Sequence, residues 1–114
     1  MNECIFCKMV EKKIPVEIVD EDEDILAFKD IKPQAPIHVL VIPKIHIPSI
    51  TSITKEHSRI MMKIIKSIQN IAKKTDIIDS GFRIVVNNGE NAGQAVDHLH
   101  FHILGGRSLK WPPG

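Results

Sequence analysis

A chain of 114 residues is long enough for one domain with a real core and too short for two, so residues 1–114 are expected to form a single domain. Lys plus Arg (15) nearly balance Asp plus Glu (14), for a formal charge of +1, so neither nucleic acid nor an anionic membrane is expected as a partner. No apolar run is long enough to span a bilayer, and Met1-Asn2-Glu3-Cys4 lacks the basic start of a signal peptide. The expected compartment is the cytoplasm, where Cys4 and Cys7 would be reduced thiols or metal ligands.

Ile5 to Lys12 suits a short helix, stopped by Pro15. Val16 to Val19 and Asp24 to Lys29 read as strands joined by an acidic turn, Asp20 to Glu23. Lys32-Pro33-Gln34-Ala35-Pro36 is a loop, because neither proline suits an element interior. His38 to Ile42 is a mostly apolar run, the pattern of a strand covered on both faces, and Pro43 ends it. Thr54 is a natural N-cap with Glu56 in the first turn. Ile60, Ile64, Ile68 and Ile71 then recur at helical spacing up to Lys73 and Lys74. Phe82 to Asn87 is β-rich, 88–93 is a turn-forming loop, and His98 to Leu104 alternates strictly before Gly105-Gly106. The order of elements is not βαβ, so the expected class is α+β with an antiparallel sheet.

The informative segment is His98-Leu99-His100-Phe101-His102-Ile103. Successive side chains of a strand point to opposite faces, so Leu99, Phe101 and Ile103 share a core face and the three histidines share the other. Two kinds of chemistry use such a stripe. The first is a metal site, but the outer two Cα atoms lie roughly 13 Å apart along a strand, too far for all three to share one ion without strain. The second is phosphate chemistry, because a neutral imidazole is a competent nucleophile near pH 7 and a second one can bind or protonate. Gly89 and Gly93 in the preceding loop favour phosphate, since glycine lets backbone N–H groups approach an anion. Asn87 and Gln94 add neutral donors. His38 and His57 read as structural: His38 in a central strand with a hydrogen-bond partner, His57 on the first turn of the long helix.

His98-Leu99-His100-Phe101-His102-Ile103-Leu104 resembles the histidine-triad signature. The likeness extends to Cys4-Ile5-Phe6-Cys7-Lys8, Phe28-Lys29-Asp30-Ile31, Pro33-Gln34-Ala35-Pro36, Val41-Ile42-Pro43-Lys44 with His46, Val85-Val86-Asn87, Gly93-Gln94 and Trp111-Pro112-Pro113-Gly114. The tail resembles the Hint-like branch, the purine nucleoside phosphoramidases. The resemblance implies a five-stranded antiparallel sheet with one long and one short helix, and two sheets joined across a homodimer. It implies a site for a purine nucleoside monophosphate or phosphoramidate. His100 would be the nucleophile and carry a nucleotidyl-histidine intermediate. His98 would orient it, with His46 beside the triad. His102 and Asn87 would hold the α-phosphate, with Gly93, Gln94 and the N–H of Ala95. Asp30 would bind the ribose, and Ile5, Phe6, Met9 and Ile31 would wall the base. Trp111 would reach toward the neighbouring subunit's site. Many members of the branch carry serine where this chain has Ala95, so one hydroxyl contact is missing.

Cys4 and Cys7 are half of a tetrahedral zinc site. Members with this cysteine pair resemble the zinc-binding forms of the family, which makes His46 and His98 the implied partners of a structural Zn2+. No organic cofactor is implied. Three other activities compete with the phosphoramidate hydrolase: a dinucleoside polyphosphate hydrolase, a non-catalytic nucleotide-binding dimer, and a zinc hydrolase using the triad as ligands.

Overall fold

The computed structural model describes residues 3–114. Its strands are β1 (Ile18–Glu21), β2 (Ile25–Lys29), β3 (Ile37–Pro43), β4 (Phe82–Val85) and β5 (Phe101–Gly105). They form one antiparallel sheet in the order β1-β2-β3-β5-β4. A short helix α1 (Ile5–Val10) and a long helix α2 (Ser58–Lys74) complete the expected α+β fold, with lone 3-10 turns at 50–52, 55–57 and 90–92.

Alternation along the central strands gives the sheet two buried faces. Ile25 and Ala27 of β2, Val39 and Val41 of β3, and Ile103 of β5 pack under Ile64, Ile68 and Ile71 of α2. Each such isoleucine, fully buried, contributes about 1.5–3 kcal/mol. Leu26, Phe28, Leu40 and Ile42 point to the opposite face and pack under Phe6 of α1. The uninterrupted apolar run of β3 reflects this double coverage.

Several boundaries differ from expectation: β2 starts at Ile25, β3 runs from Ile37 through Pro43 and β4 stops at Val85, and three further differences each have a local reason. The first helix stops at Val10 because Lys12 takes a left-handed φ of 63° and Lys13 N–H closes back onto the Lys8 carbonyl. The first strand is displaced toward Glu21 because the turn is set by Asp22, whose Oδ1 accepts the N–H groups of Asp24 and Ile25. Asp20 and Glu21 therefore pair with Ala27 and Leu26, with a bulge between Ile18 and Asp20. Thr54 caps as expected, but it caps a 3-10 turn in which the His57 ring accepts the Thr54 N–H, and α2 begins one residue later. Arg59 and Lys63 of α2 bind Asp24 and Glu23, tying the helix to the β1–β2 turn.

Candidate active site

The last strand begins at Phe101, not at His98. The β3–β5 register pairs Val41 with Phe101, so two residues further on Pro43 would stand opposite Leu99. Proline has no N–H to donate, and the ladder ends there. Leu99 N–H goes instead to the Ile47 carbonyl, 2.7 Å away. The alternation nevertheless continues through the unladdered residues. Leu99, Phe101 and Ile103 lie in the core under α2. The rings of His98 and His100 stand edge-on to Phe6 on the other face, at centroid distances of 5.8 and 5.2 Å.

Hydrogen bonds assign the proton on each imidazole. Nε2 of His98 lies 2.8 Å from the Pro43 carbonyl, so it carries the proton and Nδ1 keeps its lone pair. Nδ1 of His100 lies 2.7 Å from the His98 carbonyl, so this ring is protonated on Nδ1 and its Nε2 is the open, basic nitrogen. The Gln34 backbone N–H donates to Nδ1 of His38 at 3.0 Å, which puts the His38 proton on Nε2. That group donates to Nδ1 of His102 at 2.9 Å and leaves His102 with an Nε2–H. One ring of the stripe thus offers a lone pair and another a donor.

Burial keeps His38, His98 and His102 neutral. Desolvation pushes His98 below the ordinary imidazole value, with the Pro43 carbonyl opposing it. Desolvation likewise lowers His38, against the pull of the Asp30 carboxylate, which lies 3.4 Å from Nε2. His102 is pushed down to about 4, by desolvation first and then by His100 and His38.

His100 and His102 open on a cavity of about 260 Å³. Ile5, Phe6, Met9 and Ile31 line it, as do Val16, Phe28 and Leu40, together with Asp30 and Ala95. Ile31 is 88% exposed, so it stands at the mouth. Asn87, Gly93, Gln94 and Trp111 fall outside that lining. Asn87 extends beyond β4, whose register with β5 would place it opposite His100. The N–H of Gly93 goes to the Glu90 carbonyl. The Gln94 amide donates to the carbonyls of Pro48 and Val96 and accepts from Gly89 N–H, so this side chain braces the loop. Trp111 is 80% exposed on the tail.

Cys4, Cys7, His46 and His98 converge, with donor atoms all within 4.8 Å of one another. Sγ of Cys4 is 3.3 Å from Nδ1 of His98, and Sγ of Cys7 is 3.3 and 3.5 Å from Nδ1 of His46 and His98. Tetrahedral zinc with ordinary bond lengths sets sulfur and nitrogen about 3.5 Å apart. The lone pair of His98 Nδ1 faces the sulfurs while its other nitrogen is held by Pro43, the usual outer support of a ligand histidine. The four residues fit a zinc ion. Asp30, His38 and His102 also cluster. A metal on His38 Nε2 would move that ring's proton to Nδ1, where the Gln34 N–H already points, so the pair shares a proton and holds no cation.

Residues 11–109 match the HIT domain family. The chain belongs to the HIT family. A HIT family hydrolase from Legionella pneumophila Philadelphia 1 superposes with a TM-score of 0.96 at 43% identity, over 98% of this chain and 100% of that one. The purine nucleoside phosphoramidase of Escherichia coli K12 is 41% identical over 95% of this chain and 91% of its own length. The 14 kDa zinc-binding protein of Brassica juncea is 41% identical over 96% and 98% of the two chains. Two members of the candidate site were not legible as such in the sequence. His38 is one, since a single histidine in an apolar strand carries no periodic signal. The Gln34 backbone is the other, since its role depends on where its N–H points.

Proposed function

We propose that this HIT protein is a hydrolase that cleaves the P–N bond of purine nucleoside phosphoramidates. The observation that carries the reading is the tautomer of His100. Its Nδ1–H is spent on a main-chain carbonyl, and its Nε2 lone pair belongs to a ring that lines the cavity. That nitrogen attacks phosphorus, a P–N(His100) bond forms, and the bond to the leaving amine breaks as the amine takes up a proton from solvent. Water then attacks the same phosphorus and gives up a proton to solvent, the P–N(His100) bond breaks, His100 regains its Nε2 lone pair, and a nucleoside monophosphate leaves. The Nε2–H of His102 donates to a phosphate oxygen as charge builds there. Asn87 and the Ala95 N–H assist from the neighbouring loop, which Gly93 turns with its left-handed backbone and Gln94 holds in shape. Ile5, Phe6, Met9 and Ile31 hold the base, and Asp30 the ribose.

Zinc on Cys4, Cys7, His46 and His98 supplies structural pinning of α1 to the triad segment. A ligand role for His98 agrees with its orienting role, because its own carbonyl holds the His100 ring. Thiol ligands suit a reducing compartment such as the cytoplasm. The functional unit in this reading is a homodimer of single-domain chains. It is supported by β4, an edge strand bearing half-exposed Ile84, and by Met62 and Ile65 exposed on α2. Trp111 on the exposed tail is then available to the partner's site.

Turnover of adenosine 5′-phosphoramidate by the wild type and by His100→Ala tests the assignment. The wild type is expected to release AMP and the variant to lose all but a trace; equal rates would refute it. A diadenosine polyphosphate at matched concentration separates the neighbouring activity, and is expected to be the poorer substrate.

A further inference from the structure

We propose that Arg107 is a positioning residue for this reaction, acting through the main chain of residue 34 to hold the proton on Nε2 of His102. The inference rests on the phosphate chemistry proposed above. Arg107 forks onto one acceptor: its Nε and Nη2 lie 3.1 and 2.9 Å from the Gln34 carbonyl, while Nη1 donates to the Ser108 carbonyl. Gln34 presents its carbonyl to Arg107 and its N–H to His38. The contacts form a closed circuit that leaves the chain at Arg107, two residues beyond β5, and returns to β5 at His102.

The backbone is shaped for this approach. Gly106 has φ 89°, and a Cβ there would stand 2.9 Å from Cβ of Pro36. Only glycine lets the chain pass that close to the 33–36 loop and deliver Arg107 above it. Within the loop, residue 34 is held only through its side-chain amide on the Lys32 carbonyl, 3.1 Å away, because Pro33 and Pro36 donate no N–H. Without a clamp, residue 34 can turn its N–H away from His38, and the His38 ring is released to either tautomer. His102 then faces a lone pair as often as a donor. A lysine would give a single donor in place of the fork and hold residue 34 less firmly.

The test compares wild type, Arg107→Met and Arg107→Lys as full chains, by ring-nitrogen NMR of the histidines at neutral pH, steady-state kinetics and thermal melting. Arg107→Met is expected to give mixed tautomers at His38 and His102 and about a tenfold loss of kcat with KM little changed. Arg107→Lys is expected in between, and guanidinium added to Arg107→Met is expected to restore part of kcat. Should Arg107→Met fail to fold, Gln34→Pro, which deletes the N–H itself, is expected to reproduce the tautomer mixing. A folded Arg107→Met that melts lower but keeps wild-type tautomers and kcat would overturn the inference and leave a purely structural clamp. A wild type inert toward phosphoramidates would overturn the parent reading, while the ring-nitrogen comparison would still decide this one.

Discussion

Nε2 of His38 and Nδ1 of His102 lie 2.9 Å apart, and one proton occupies the gap. The Gln34 N–H on the far side of His38 decides which ring owns it. A histidine outside the alternating stripe therefore sets the state of one inside it. His38→Ala removes the donor and lets His102 protonate either nitrogen. We expect kcat to fall by roughly ten- to a hundredfold, with a smaller change in KM. Steady-state kinetics of a phosphoramidate check this, and an unchanged kcat would remove His38 from the relay.

The zinc assignment predicts one equivalent of metal per chain. Cys7→Ser loses a ligand that lies against both His46 and His98, so zinc is expected to fall to trace levels and the melting temperature to drop. His102→Ala is expected to keep its zinc, since His102 is not among the four converging donors. Elemental analysis of the purified proteins decides it. Zinc lost equally from both variants would point to the triad as ligands.

Acid is expected to unfold this protein through its neutral histidines. In the folded chain His38, His98 and His102 sit below the ordinary imidazole value, His102 at about 4. Unfolded histidines take up protons near pH 6.5. Between about pH 6.5 and 4 the unfolded state binds more protons, so stability rises with pH across that window. It is complete above the unfolded value and is lost as pH falls toward the folded one. Urea midpoints of reduced, metal-free protein should drop from about pH 7.5 to about pH 5, and less steeply in His102→Gln. Equal midpoints at the two values would contradict the assigned neutral state.

Dimerisation through β4 predicts that Ile84→Lys yields a monomer with an intact fold, because Ile84 is 48% exposed in the isolated chain and its loss opens no cavity. Sedimentation with circular dichroism measures both properties. A variant that remains a dimer would move the interface elsewhere.

Much of the site was legible because its pattern is local. Alternation at 98–103 separates Leu99, Phe101 and Ile103 from the histidines even where Pro43 denies the strand its ladder, since extended backbone keeps its period without a partner. The isoleucine spacing of α2 marks its buried stripe for the same reason. What stayed hidden depends on contacts between distant segments. Gln94 reads as a phosphate donor until its amide is seen against Pro48 and Val96. Asp22 reads as part of a solvated acidic run until its carboxylate is seen closing the turn that shifts β1. His38 reads as a core histidine with some partner, and only the register of β3 against β5 makes that partner His102.

The central claim is that Nε2 of His100 forms a bond to phosphorus. Intact-mass and peptide mass spectrometry of His102→Ala, mixed with adenosine 5′-phosphoramidate and quenched early, measures it directly. The account predicts a mass increase of one adenylyl group, mapped to His100 and absent from His100→Ala. Product release with no adduct on any histidine, or an adduct mapped to His38 or His98, would contradict it.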